Sequence, residues 1–423
     1  MKLKSLFPNK GYDILFLCIF LFLGLYSLRG AYNNISDGWY NISIQDFLYN
    51  FGGGFIRRGL GGEIIFFFQD YLHIPALILI STVCVISYLS LFWITTKLLL
   101  RKGYSWNLLI LSPLLGGILI YQFSSFRRDY LELLLFAITL ILYKRLDFKK
   151  WIVAGNIIMT FAILLHESTL FFTVPAIILI TNSKIHSLLK SIAYWSPALI
   201  AFISCCVFKG SPEMMSALLS RASIHAPQAF EAQKIPQLLN FIGQDTIEVF
   251  KMHLRVNFDG YVPFFSTEVP RFIFTLLYYI YIPYLSISML ISFTPGGISK
   301  NRIADFIRLL IFQFICLLPM WTILSCDFVR VSLYWMMSTL LIWLILSEHE
   351  SEILFPHYYI RFIKNMTNKI HDAWIPNRFI LTILSLCTGV VFIGPSFYGL
   401  FSSSIVSQLF NFTILHRLVT FIM

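Results

Sequence analysis

Long apolar runs alternate along this chain with short loops that are either basic or acidic. The hydrocarbon core of a bilayer is about 30 Å thick, and a helix crossing it needs about 17–25 mostly apolar residues. Runs of that kind lie near 12–30, 74–97, 106–123, 129–144, 151–166, 169–184, 191–208, 271–293, 305–325, 331–347 and 379–395. The tail after Ser402 (residues 403–423) is a candidate twelfth. The pattern predicts an all-α fold, a polytopic transmembrane helical bundle of about eleven or twelve helices. Leu60–Leu72 is apolar but short and carries Glu63 and Asp70, so it reads as an interfacial or re-entrant piece within the loop 31–73. The longest connection, 210–270, contains the amphipathic stretch Ile235–Phe250 and predicts a small helical cap on the membrane surface. A further loop spans 348–378, and no internal repeat is visible, so 1–423 reads as one membrane domain with decorated loops.

Loop charge gives the bundle a direction. Alternate loops hold Lys2/Lys4/Lys10, Lys97/Arg101/Lys102, Lys144/Arg145/Lys149/Lys150, Lys184/Lys190, Lys300/Arg302 and Arg361/Lys364/Lys369/Arg378. By the positive-inside rule that side is cytoplasmic, with the N-terminus inside and 31–73 and 210–270 outside. The first apolar stretch, from about Tyr12 to Leu28, is long for a signal-peptide core and reads as a retained helix.

Composition agrees. Hydrophobic residues make up 57% and charged residues 13%, against about 25% charged in soluble domains. The 42 Phe and 21 Tyr suit lipid-facing surfaces and interfacial belts. The net charge of +11 falls mostly in the short loops, with no basic, aromatic-interleaved soluble segment, which argues against nucleic acid as a partner. The seven cysteines lie in or beside apolar runs without a CxxC pair or Cys/His cluster, so no metal, cofactor or disulfide framework is expected.

Against this topology, the informative charges are those on the external side. The first external loop carries Asp37, Asp46, Arg57, Arg58 and Glu63. The second reads FSSFRRDYLELL, with Arg127, Arg128 and Asp129 at a helix mouth and Glu132 one turn inside. The third is the short LLHESTLF, with His166 and Glu167, and a later one reads LSCDFVRVSLYW, with Asp327 and Arg330. A charge at such depth costs about 2.5–3.5 kcal/mol on insertion scales and normally faces the bundle interior with a partner. Each group also has a bland reading. Arg128–Glu132 and Asp327–Arg330 have the spacing of local helix pairs, and Ser168 or Thr169 can cap the next helix.

The run Gly52-Gly53-Gly54, followed by Arg57-Arg58-Gly59 and Gly61-Gly62, admits two readings. Glycines let backbone approach a ligand, and exposed amides with arginines suit phosphate oxygens. They equally allow a turn to pack closely on a neighbouring helix. The run lacks GK[ST] and any strand–helix context, which argues against nucleotide binding. A lipid-linked diphosphate fits better, because arginine forks bind phosphate bidentately while the lipid tail stays in the bilayer. Glycosyl transfer from such a donor needs cations for the leaving diphosphate and a carboxylate or histidine for the acceptor proton. The loop aromatics Trp39, Tyr40, Phe47, Tyr49, Phe51 and Phe55 suit sugar stacking or interfacial anchoring.

The segments FRRDYLELLLFAITLIL, KRLDFKK and AILLHESTLFFTVPAIILI, with the later DFVRVSLYW, resemble bacterial O-antigen and exopolysaccharide polymerases of the Wzy/EpsG type over about a third of the chain. The resemblance implies a GT-C-like membrane glycosyltransferase in the bacterial inner membrane. Its expected reaction is the polymerisation of undecaprenyl-diphosphate-linked oligosaccharide repeats on the external face. The implied partners are polyprenyl-diphosphate-linked oligosaccharides, the lipid bilayer and a chain-length regulator or flippase. It points to Arg127 or Arg128 and Arg330 as diphosphate ligands, and to His166 as an acceptor-activating or diphosphate-binding residue. The residues themselves add Arg57 and Arg58 as a second clamp, with Asp37, Asp129, Glu167 or Asp327 as bases. The rivals are a single-sugar GT-C transferase using a polyprenyl-phosphate sugar with Asp37, a non-enzymatic transporter of lipid-linked polysaccharide, and a membrane acyltransferase using His166–Glu167.

Overall fold

The computed structural model describes residues 46–103, 128–208, 210–227, 251–255, 261–264, 267–294, 297–324, 328–371 and 377–387. Its helices are α1 (Gly59–Leu72), α2 (Ala76–Arg101), α3 (Asp129–Arg145), α4 (Phe148–Leu165), α5 (Thr169–Ile185), α6 (Leu188–Tyr194), α7 (Ser196–Val207) and α8 (Pro212–His225). A two-stranded antiparallel hairpin, β1 (Tyr261–Phe264) and β2 (Thr267–Pro270), pairs Val262 with Val269. The chain continues through α9 (Arg271–Phe293), α10 (Lys300–Pro319), α11 (Phe328–Ile345), α12 (Glu348–Ile353), α13 (His357–His371) and α14 (Arg378–Cys387). The described fold is therefore helical apart from one short hairpin inside the expected external cap. Residues 12–30, 106–123, Ile235–Phe250 and the tail after Ser402 lie outside the described residues.

Among the described residues, α2, α4 and α10 with its continuation to Leu324 are long and apolar enough to cross a membrane. The pair α6–α7 adds a fourth if its two halves form one span. The helices α5, Ile280–Phe293 and Arg330–Ile345 are apolar but shorter. The expected run 191–208 is thus two helices meeting at 69° rather than one straight span. Proline explains the break: Pro197 in the first turn of α7 has no N–H to donate back to Ala193. The side chain of Asn156 on α4 donates to the Tyr194 carbonyl at the bend, at 2.8 Å. Helix α1 has 14 residues, about 21 Å of rise, too short to cross. It leaves Phe67, Phe68, Tyr71 and Leu72 exposed.

The chain divides into two compact units, one containing residues 27–93 and 122–249, the other 1–26, 94–121 and 250–423. In the former, α4 packs on α3 and α7, and α6 packs on α5. Gly155 on α4 makes this closeness possible, because a Cβ there would stand 2.5 Å from the Trp195 ring. Trp195 is buried, meets Trp151 edge-on and donates its indole N–H to the Thr181 hydroxyl at 2.8 Å. Trp151 donates likewise to the Thr139 carbonyl at 3.0 Å. Asp147 starts α4 by accepting from the Lys150 N–H at 3.0 Å.

In the other unit α10 is the hub, packed on α11, α12 and α13. Ser299 caps α10 through the Arg302 N–H at 3.2 Å, so the helix begins several residues before the apolar run. Arg302 lies over the Trp343 ring, donates to the Trp343 carbonyl at 2.9 Å and accepts the Trp343 indole N–H on its own carbonyl at 3.0 Å. Arg308 is fully buried, paired with Asp305 and bonded to the Ser351 hydroxyl at 3.3 Å. A Ser347–Glu350 capping box starts α12.

Candidate functional site

Three segments that are distant in sequence meet beside the start of α1: the loop before it, the mouth of α3 and the turn between α4 and α5. The loop 47–58 is locked onto α1 and α8. Gly62 donates its N–H to the Tyr49 carbonyl at 3.0 Å, and any Cβ at Gly62 would overlap that carbonyl. Gly54 adopts φ 126° and closes a turn through its N–H to the Phe51 carbonyl at 2.9 Å. The Gly52 N–H goes to Asn50 Oδ1 at 2.8 Å, and the Phe51 N–H goes to Glu63 at 2.5 Å. These amides are therefore committed within the loop or between the loop and α1. A Cβ on Gly53 would stand 2.5 Å from the Met214 Cα of α8. Here the glycine run serves close packing on a helix.

Arg58 ends the loop in the left-handed region, φ 65° and ψ 4°, which is costly for a residue with a Cβ. That backbone presents its guanidinium to Glu167 in a fork, with Nε at 2.9 and 3.1 Å and Nη2 at 2.5 Å from the carboxylate oxygens. Arg57 stands 4.0 Å from the same carboxylate. The side chains of Arg57, Arg58 and Glu167 retain 27%, 18% and 17% of their exposure, so each keeps partial contact with solvent. Burial works against the Glu167 charge, but the Arg58 guanidinium, His166, the Arg58 hydrogen bonds and Arg57 outweigh it. Together they hold the carboxyl well below its usual range.

Beneath this rim lies a buried polar layer. Arg128 is buried, donates to the Leu165 carbonyl at 2.9 Å and lies 5.5 Å from the centre of the Phe47 ring. That bond ties the mouth of α3 to the last residue of α4, where its carbonyl has no partner in its own helix. Asp129 and Glu132 are buried on α3, and Glu132 accepts the Thr169 hydroxyl at 3.1 Å. His166 is buried and ends α4, its N–H bonded to the Ala162 carbonyl. Its Nδ1 meets the Ser168 hydroxyl and receives the Ser168 N–H at 3.2 Å. Ser168 thus bonds the His166 ring instead of capping α5.

Of the ten residues singled out in the sequence, six gather here: Arg57, Arg58, Arg128, Asp129, His166 and Glu167. Arg330 lies in the first turn of α11 in the other compact unit. Asp37, Arg127 and Asp327 lie outside the described residues. Of the loop aromatics, Phe47 and Tyr49 are buried, Phe51 and Phe55 stack on each other at 5.4 Å, and Trp39 and Tyr40 lie outside the described residues.

Helix α8 supplies residues that the sequence did not signal. Arg221 pairs with Glu63 at 2.6 Å, over the Phe66 ring. Asn50 donates to the Leu218 carbonyl at 3.2 Å, and Gln69 donates to the His225 carbonyl at 2.9 Å. The His225 ring stacks on Phe66 and stands 3.6 Å from Asp70. A single arginine in a long polar connection has no pattern that marks it beforehand.

No group of three or more His, Cys, Asp or Glu suited to a metal occurs among the described residues. Comparison with protein families, curated proteins and solved structures finds no match. The polymerase resemblance therefore rests on the short segments quoted above.

Proposed function

We propose that this protein is a GT-C-like membrane glycosyltransferase of about eleven or twelve helices that acts on polyprenyl-diphosphate-linked oligosaccharides at the external face of a bacterial inner membrane. In this reading it joins their repeat units into longer chains. The observation that carries the reading is the convergence of Arg57 and Arg58 on Glu167 at a reachable rim. Two guanidiniums present paired donors suited to diphosphate oxygens. The Glu167 carboxylate engages the same guanidinium donors that the diphosphate would take.

The chemistry follows from the exchange. When the diphosphate takes the arginines, Glu167 loses the partners that depress its pKa and becomes a stronger base. The acceptor hydroxyl oxygen attacks the anomeric carbon of the donor sugar. The bond from that carbon to the diphosphate oxygen breaks, and its electron pair leaves with the polyprenyl diphosphate, stabilised by Arg57 and Arg58. The acceptor proton passes to Glu167. The buried layer of Arg128, Asp129, Glu132 and His166 positions the turn that carries Glu167.

The test is a chain-length ladder of the surface polysaccharide in cells carrying Arg57→Gln, Arg58→Gln or Glu167→Gln, with membrane levels of the protein measured in parallel. Loss of long chains at normal protein levels supports the reading. Normal ladders in all three variants overturn it. A uniform product with one added sugar selects the single-sugar transferase instead.

A further inference from the structure

Helix α13, with the sequence HYYIRFIKNMTNKIH, carries three cations and no acidic residue. One of its faces is seated on α10: Ile363 and Thr367 are buried, and the Tyr359 hydroxyl donates to the Arg308 carbonyl at 3.1 Å. Lys364 belongs to that seat as well, paired with Glu352 of α12 at 2.7 Å. The opposite face is different in kind. At about 100° per residue, Tyr358, Phe362 and Lys369 fall within one narrow stripe, with Arg361 and Asn365 beside it. Tyr358 is 77% exposed and Phe362 62%, and Arg361 and Lys369 are exposed with them. Ile353 at the end of α12 is exposed too.

A stripe of bare aromatics flanked by cations is poorly suited to water and well suited to a membrane interface. Aromatic rings settle at headgroup level there, while Lys and Arg reach the phosphates. Chain continuity points the same way. The helices before it, α10 and α11, and the one after it, α14, are apolar, and α10 is long enough to cross a bilayer. Helices α12 and α13 are therefore tethered at both ends to segments suited to the bilayer. We propose that α13 lies in the headgroup layer, with Tyr358 and Phe362 at the acyl boundary and Arg361 and Lys369 on anionic phospholipid headgroups. This surface shares no residue with the arginine rim around Glu167, and the proposal needs only the membrane setting.

The experiment uses the full chain in nanodiscs, with a photo-crosslinking benzoyl-phenylalanine in place of Tyr358 or Phe362. The discs contain either phosphatidylcholine alone or phosphatidylcholine mixed with phosphatidylglycerol. The expected result is a lipid adduct at both positions, seen by mass spectrometry and enriched in phosphatidylglycerol beyond its share of the disc. Arg361→Gln and Lys369→Gln should each shift the docked–undocked balance by about fivefold, read as lower adduct yield in the anionic discs only. Adducts to protein rather than lipid, no adduct at either position, or yields indifferent to phosphatidylglycerol and to both substitutions overturn the proposal.

Discussion

Replacing Glu167 with glutamine is the sharpest probe of the rim, because it should improve binding and abolish turnover together. The carboxylate occupies the Arg58 fork through three hydrogen bonds of 2.5–3.1 Å, with Arg57 at 4.0 Å. Any incoming anion must displace it. A charge-assisted pair of this kind contributes about 1.5–3 kcal/mol net, and the lower half of that range is appropriate where both partners keep some solvent. Since about 1.4 kcal/mol is tenfold in affinity, Glu167→Gln should tighten inorganic pyrophosphate by about tenfold. The neutral amide keeps the side-chain shape while removing the negative charge that competes for both guanidiniums. The assay is calorimetric titration of purified, detergent-solubilised protein with pyrophosphate, beside Arg58→Gln, which should weaken binding. A melting curve of each variant separates altered binding from lost structure. Unchanged or weaker pyrophosphate binding in a folded Glu167→Gln variant would refute the view that the carboxylate stands in for a ligand.

Other expectations follow from the same contacts. The Glu167 carboxyl titrates below its ordinary value of 4.5 in the folded protein, so its pairing adds stability in full above that pH. That contribution is lost as pH falls through the depressed value, and the gap in melting temperature between the protein and Glu167→Gln should close on acidification. Thr169→Val removes the hydroxyl bonded to buried Glu132 and should cost about 1 kcal/mol by chemical or thermal unfolding, and an unchanged stability would refute a contribution from that bond. Gly155→Ala should cost about 1–3 kcal/mol through overlap with the Trp195 ring, and an unchanged melting temperature would contradict the tight α4 packing at the α6–α7 bend. Ser347→Ala breaks the capping box of α12 and should cost about 1 kcal/mol by the same measurement.

Where apolar runs end in charges, sequence and structure agree closely. As helix boundaries, the expected runs 129–144, 169–184 and 271–293 correspond to Asp129–Arg145, Thr169–Ile185 and Arg271–Phe293, although none of the three is among the described helices long and apolar enough to cross a membrane. Hydropathy is blind to direction, however, so 191–208 concealed a 69° bend whose only written sign is Pro197. It is equally blind to polar first turns. The span expected from residue 305 begins at Lys300 because Ser299 caps it there. Strands of four residues, as in 261–270, are too short to carry a periodic signal.

In the candidate site, loop charge grouped Arg57, Arg58, Arg128, Asp129, His166 and Glu167 on one side, and six residues from three segments do meet. What sequence could not rank was depth. His166 and Glu167 are neighbours, yet one is buried and the other reaches solvent, because the α4–α5 turn points successive side chains in different directions. Nor could it separate the two uses of a glycine run. Close approach to a ligand and close approach to Met214 require the same missing Cβ.

The left-handed backbone at Arg58 places two requirements on one position that no single alternative residue meets. Glycine or asparagine would suit the turn but lacks the fork. Lysine keeps the charge, yet it relieves none of the backbone cost and offers one compact cation where Glu167 meets two nitrogens. The tolerance of this position should therefore be narrower than burial suggests. In a library covering residues 55–60, Arg58 should stand out as the site where exchanges that help the turn and exchanges that help the side chain never coincide.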